Sequence, residues 1–303
     1  MWRYLFIFIL LGCETTNSNT GPQKRAVFDV VTSVDVERDF LLIKSDIRMG
    51  RYFESMDSLC HLASIAFGRK IDEYLLIHNN RRIIDTLIQQ DYYLAKEQGR
   101  YIQDQRLCIA LHAGDTLFIP TQIEMDQLNG MLDSVLIDVN IPEYTLRIWV
   151  KNELKHRCKV RVGKNDSRYL ALAHREVNLQ TPVGRGHIVR IERNPTYINP
   201  VDGHRYKSTR RDDGMYTKLP RIPFLEPELN GIRPGALIHP TTNRNTLGKA
   251  ISNGCVGLSE ADAWMVYYYA PLGTEVVFRY DLDIIDSLSN AIRLMDVYKR
   301  LTL

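Results

Sequence analysis

Apolar and polar residues follow two different periods along this chain, and the change between them divides it. From Ser134 the period is two. Val135, Ile137 and Val139 alternate with Leu136 and Asp138, Pro142-Glu143 interrupts, and Tyr144, Leu146, Ile148 and Val150 resume against Thr145, Arg147 and Trp149. Lys151-Asn152-Glu153 turns the chain back, and Leu154, His156, Cys158, Val160 and Val162 then alternate with Lys155, Arg157, Lys159 and Arg161. One mostly apolar face and one cationic face predict an antiparallel hairpin with one wet side. His187 to Glu192 adds a further alternating strand.

Upstream the spacing is helical. Phe53, Met56, Leu59 and Cys60 share a face that Leu62, Ile65 and Ala66 extend, and Ile71, Tyr74, Leu75 and Ile77 suggest a second, short helix stopped at His78-Asn79-Asn80. Leu107 to Ile109 and Thr116 to Ile119 read as strand pieces around the turn Ala113-Gly114-Asp115. Near the other end, Ser259 with Asp262 marks a helix start whose buried side is Trp264, Met265, Tyr268 and Tyr269; Pro271-Leu272-Gly273 stops it, and Glu275 to Tyr280 returns as a strand. Asp283 to Leu301 then reads as an amphipathic closing helix. The expected class is α+β: a helix-rich module over 27–122, a mostly antiparallel β domain over 134–281, and a helix over 282–303.

The first residues follow another logic. Met1-Trp2-Arg3, the apolar run Tyr4 to Leu11 and Gly12-Cys13 form a stretch too short to span a bilayer, which predicts a signal peptide over 1–12. Leu10-Leu11-Gly12-Cys13 resembles a bacterial lipobox, and that resemblance implies lipidation of Cys13 and attachment to a membrane through it. Residues 13–26, rich in Thr, Asn and Ser, read as a tether.

Composition changes little in this picture. With 45% apolar and 25% charged residues the chain is of ordinary globular type, and a net charge of +3 without dense Lys/Arg runs does not argue for nucleic acid. No Cys-x-x-Cys or His-x-x-x-His spacing occurs, so neither a metal nor a cofactor is expected. His61, His78 and His112 have no partner arrangement and read as surface or satisfied core residues.

Candidate chemistry concentrates in 236–258. His239 ends the apolar run Ala236-Leu237-Ile238, and Cys255 emerges from Ser252-Asn253-Gly254 sixteen residues later. A lone cysteine is by default a small buried hydrophobe. Here the preceding glycine, the turn and the upstream imidazole argue for a thiol nucleophile with its base. The Gly254 and Cys255 amides would face a developing oxyanion.

This stretch resembles the signature of the L,D-transpeptidase catalytic domain (the YkuD family), in which an upstream His precedes a Ser/Thr-His-Gly-Cys turn. Ser252, Gly254 and Cys255 match the turn and His239 the base, and the family's ring-orienting carbonyl falls on Pro240. The likeness runs from about Ser134 to Tyr280 and takes in the hairpin and Thr181-Pro182-Val183-Gly184. It implies a YkuD-like β sandwich or barrel in a bacterial cell envelope, acting on peptidoglycan stem peptides through a thioester on Cys255 resolved by an amine, or by water in a carboxypeptidase.

Two positions depart from the pattern. Asn253 replaces a second histidine, and Gly257 replaces an arginine two places after the cysteine, leaving Arg190, Tyr197 and Arg233 as candidates for the missing guanidinium's substrate contact. Ser252 and Asn253 would shape the substrate side of the turn. The alternative, a peptidoglycan-binding lipoprotein with a decayed catalytic fold, follows from the same two changes. The Pro-, Gly- and charge-rich run from Arg193 to Pro234 is expected to be a lid or wall.

Asp57-Ser58-Leu59, Asn79-Asn80 and Gly114 to Pro120 in turn resemble a glycan-binding LysM module, with 81–106 as an insertion. A helical packing domain without a ligand fits that module equally. In an oxidising envelope Cys60 could bridge Cys108, leaving Cys158.

Overall fold

The alternating stretch after Ser134 becomes three consecutive antiparallel strands, the start of the largest sheet in the molecule. The computed structural model describes residues 31–35, 39–285 and 289–300. The expected signal peptide, Cys13 and the tether lie outside them. The described residues form two compact units, one from the segments up to Thr86 and 106–129, the other from 87–105 and 130–303. The expected 27–122 module is thus divided, since residues 87–105 belong with the second unit. Among the described residues no helix is long and apolar enough to cross a membrane.

In the first unit, Val31–Asp35, Phe40–Ile43 and Thr116–Phe118 make a three-stranded antiparallel sheet, and Ile47–Arg48 pairs with Ile109–Leu111. Helix Tyr52–Phe67 buries Phe53, Met56, Leu59 and Cys60 and ends at Gly68, whose φ of 64° is the left-handed cap that glycine favours. Helix Glu73–Asn79 starts where Asp72 accepts from the Leu75 amide at 2.9 Å. Asn80 then mimics a strand partner: its Oδ1 accepts from Phe118 N at 2.9 Å while its Nδ2 donates to Phe118 O at 2.8 Å. Cys60 and Cys108 are thiols, so the expected bridge between them is not made.

The second unit opens with α1 (Tyr92–Glu97), capped by Asp91, which accepts from Tyr93 N and Leu94 N. The sheet follows: β1 (Val135–Asn140), β2 (Thr145–Val150), β3 (Glu153–Lys159), with the short β4 (Val162–Gly163) beyond it. Next come β5 (Gly184–Glu192), β6 (Phe224–Leu229), β7 (Ile238–Pro240), β8 (Ala250–Ser252), β9 (Val256–Leu258), α2 (Glu260–Tyr269) and β10 (Glu275–Arg279). Eight of these strands run in the order β9-β7-β6-β5-β10-β1-β2-β3. Only β7 with β9 and β10 with β1 are parallel.

The two outer edges meet. Just past β3, Arg161 and Gly257 of β9 exchange both backbone hydrogen bonds at 2.9 Å, so the sheet curls into a nearly closed barrel. β4 lies parallel to β8, which continues the closure beside the turn at residues 252–255.

Helix α2 is buried along most of its length through Trp264, Val266, Tyr267 and Tyr268, and Ser259 caps it by accepting from Asp262 N. Its first residue, Glu260, is fully buried. It accepts from Tyr92 N at 3.1 Å, Gln105 Nε2 at 2.5 Å and Arg211 Nη1 at 2.5 Å. Asp91, the cap of α1, also accepts from Ala261 N at 3.0 Å. These bonds tie 87–105 to this unit: Tyr92 N and Gln105 Nε2 donate to Glu260, and Asp91 accepts from the first turn of α2.

Among the described residues the closing helix is not formed. Asp283–Ile285 instead pairs antiparallel with Ala291–Arg293, placing Ile284 opposite Ile292, and Arg293 bonds Asp283 at 2.8 Å across the ribbon. β-branched residues and a cross-strand ion pair favour the extended form over the weak helical period. The chain then returns to the barrel, where Tyr298 is buried and stacks on Tyr280 at 5.3 Å.

Candidate active site

The parallel pairing of β7 with β9 sets His239 beside Gly257, two residues beyond Cys255. His239 and Cys255 both line one cavity of about 960 Å³, together with Ser252, Asn253, Gly254 and Arg161. The far wall comes from the Arg193–Pro234 run, which is not one open loop: it contains the ribbons Tyr197–Ile198 with Arg205–Tyr206 and Ser208–Arg210 with Tyr216–Lys218.

The nucleophile turn is held from several sides. Ser252 Oγ donates to Cys255 O at 2.7 Å, and Thr181 Oγ1 donates to Gly254 O at 3.0 Å. Gly254 has φ of 103°, a conformation that a side chain would strain. With both carbonyls engaged, the Gly254 and Cys255 amides donate to no other group among the described residues. The Cys255 thiol accepts from Leu237 N at 3.4 Å. Burial raises its pKa, opposed by that N–H and by the Arg161 guanidinium.

His239 Nδ1 lies 2.8 Å from Pro240 O. A carbonyl only accepts, so Nδ1 carries the proton and Nε2 is left as the basic nitrogen. Burial, reinforced by Arg161 and opposed by the Pro240 carbonyl, lowers the ring's pKa from 6.5 to about 4. Its face rests against Phe224, with ring centres 5.0 Å apart.

The three candidates for a substrate contact are otherwise employed. Arg190 Nε and Arg233 Nη2 both donate to Glu226 Oε2, at 2.5 and 2.7 Å, which draws their charge into one shared carboxylate. Tyr197 lines the cavity, but its hydroxyl donates to Pro220 O at 2.9 Å and its ring abuts Phe224, so it braces the His239 ring.

The guanidinium next to the thiol belongs to Arg161, which the sequence presents only as one cation on the wet face of a strand. Its Nε is sealed from solvent and has no hydrogen-bond acceptor among the described residues.

Elsewhere on the barrel, His156 and Cys158 of β3 and Asp262 of α2 set three ligand atoms within 4.8 Å of one another. Close-spaced sequence motifs miss such a group because it spans a strand and a distant helix. His156 Nε2 is 2.8 Å from Asp262 Oδ1, and Asp262 also accepts from Ser259 Oγ at 2.5 Å, a use that fits a strand-to-helix clamp.

Residues 134–278 match the L,D-transpeptidase catalytic domain, YkuD. Among solved structures, the chain is similar to an L,D-transpeptidase from Mycobacterium smegmatis (17% identity, 48% of this chain and 58% of that one, TM-score 0.34). It is also similar to L,D-transpeptidase 3 from Mycobacterium tuberculosis (18%, 48% and 61%, TM-score 0.33). A third likeness is to the L,D-transpeptidase of Xylanimonas cellulosilytica (13%, 67% and 92%, TM-score 0.35). The chain spans about six-tenths of the length of the two mycobacterial proteins. No curated protein matches its sequence.

Proposed function

We propose that this protein is a cysteine acyltransferase that cross-links peptidoglycan stem peptides through a thioester on Cys255. One observation carries the reading. A thiol flanked by two unengaged amides shares a cavity with a histidine whose Nδ1 is tied to Pro240, leaving Nε2 for proton transfer.

In the proposed reaction His239 takes the thiol proton as the sulfur attacks the carbonyl carbon of an L,D peptide bond. The oxyanion is received by the Gly254 and Cys255 amides, each donor contributing about 3 kcal/mol. Collapse breaks the C–N bond, and His239 returns the proton to the departing amine. An amine of a second stem peptide attacks the thioester carbonyl and gives a proton to His239; the C–S bond breaks as the amide forms, and His239 returns the proton to the Cys255 sulfur. Neutral imidazole and neutral thiol are the resting pair, because burial disfavours both ions.

The proposal extends to the part of the chain before the catalytic domain, as the sequence reads it: a lipid on Cys13 holding the enzyme at a bacterial envelope membrane, and a LysM-like module presenting it to glycan.

Intact mass after incubation with a carbapenem tests the chemistry. One adduct per chain, absent in Cys255→Ala and slowed at least a hundredfold in His239→Gln, is the expected result. Failure to form any adduct while the protein remains folded would sink the nucleophile assignment. Muropeptide analysis of treated sacculi separates cross-links from hydrolysis.

A further inference from the structure

Gly257 stands where the family resemblance places an arginine, and the structure fills that space from the segment between β3 and β4. Arg161 forms its two-way backbone bridge with Gly257, and its side chain lies across the glycine. A Cβ on residue 257 would come within 2.5 Å of Arg161 Nε, 2.7 Å of its Cγ and 3.0 Å of its Cδ. The mid-chain atoms, and not a swinging tip, occupy the glycine's place. An arginine in this pose therefore requires Gly257, and the apparent loss at 257 is the socket for a cation supplied elsewhere.

That cation lacks an anion. Arg190, on the cavity wall, and Arg233 share the Glu226 carboxylate. No carboxylate pairs with Arg161 among the described residues, and its enclosed Nε has no acceptor. Burial of an unpaired charge is unfavourable, and it is relieved when an anion binds. A guanidinium offers a planar fork suited to a carboxylate.

We propose that Arg161, seated over Gly257, is the anion anchor of the site: it receives a carboxylate of the acyl substrate beside Cys255 and so selects peptides that carry a free carboxylate next to the attacked carbonyl. This rests on Cys255 being the nucleophile. Of the three arginines that line this cavity, Arg190 is bonded to Glu226 and Arg175 is exposed to solvent, whereas Arg161 is enclosed and bonded to no carboxylate among the described residues.

The test uses two alkylating reagents that differ in charge alone, iodoacetate and iodoacetamide, on the full chain, with Cys255→Ala as the blank for the other thiols. The readout is the ratio of their rates at Cys255, compared with the same ratio for a small free thiol. The expected ratio favours iodoacetate about tenfold over that reference, the scale of one charge-assisted pair. It falls to the reference in Arg161→Met, and also in Gly257→Val, where the arginine remains but is displaced. Arg161→Lys keeps part of the preference, having charge without the fork.

A ratio equal to the reference in the parent protein, or one unchanged in both Arg161→Met and Gly257→Val, overturns the anchor while leaving the nucleophile intact. If Cys255 reacts with neither reagent, both assignments fall.

Discussion

Arg211 and Arg161, both in the barrel unit and both with guanidinium atoms sealed from water, are handled in opposite ways. Arg211 is 3% exposed and fully engaged: Nη1 donates to Glu260, Nε donates to Thr217 Oγ1 at 2.8 Å, and its plane lies 4.5 Å over the Tyr92 ring. Arg161 has neighbours of no charge, the Cys255 thiol and the His239 ring, and an idle Nε. The first cation finishes a structure. The second is left unfinished at a cavity wall, which marks a site that a ligand completes.

The sharpest break of this contrast is in stability. Arg211→Met removes one half of a buried pair and leaves Glu260, whose pKa burial already raises, among donors that it was sharing with a cation. The expected cost is about 3–5 kcal/mol in urea unfolding. Arg161→Met should change stability by less than about 1 kcal/mol in either direction, because it deletes a charge with no protein partner. Equal losses in the two variants would show that both arginines are structural and would remove the basis of the comparison.

The two residues were unequally legible. Arg211 sits in the run Arg210 to Asp213, which composition marks only as a charged loop, while its partner Glu260 opens a helix that Ser259 announces. The alternation of β1 to β3 and the apolar run before His239 were readable because each depends on neighbours in sequence. Phe40–Ile43 was hidden by a continuous apolar run without alternation.

Arg161 could not be read as a site residue, since its role is created by a bridge to Gly257 made only when the sheet closes. The reading of Gly257 as a loss followed from the same blindness. The closing helix failed because Asp283 pairs with Arg293 and Tyr298 has a socket in the barrel, contacts that local spacing does not encode.

A second, smaller effect concerns pH. The ordinary histidine pKa is 6.5 and that of folded His239 is about 4, so between those values the folded chain binds fewer protons than the unfolded one. Stability from this residue is complete above about pH 6.5 and is lost as pH falls toward 4, by at most about 3 kcal/mol and less where cavity water reaches the ring. His239→Gln should flatten that part of the pH–stability curve. Arg161→Met should narrow it by letting the folded pKa rise toward 6.5, whereas Arg211→Met, acting elsewhere, should leave its width alone. A window equally wide in Arg161→Met would mean that desolvation alone sets the ring's pKa.

The smallest expected change comes from one oxygen that ties Gly163, two residues past Arg161, to the nucleophile turn. Tyr298 Oη donates to Gly163 O at 2.8 Å and accepts from Thr181 N at 3.0 Å, while Thr181 Oγ1 accepts from Gly163 N and donates to Gly254 O. Gly163 admits no side chain, because a Cβ there would lie 2.0 Å from Leu179 O. Tyr298→Phe keeps the ring on Tyr280 and removes only the hydroxyl, leaving one buried N–H and one buried C=O without partners. The expected cost is about 2 kcal/mol. The same variant loosens Thr181, whose hydroxyl holds the Gly254 carbonyl, so alkylation of Cys255 should slow a few-fold while the preference for iodoacetate, which belongs to Arg161, persists. Loss of that preference in Tyr298→Phe would mean that the position of the arginine depends on the C-terminal segment as much as on Gly257.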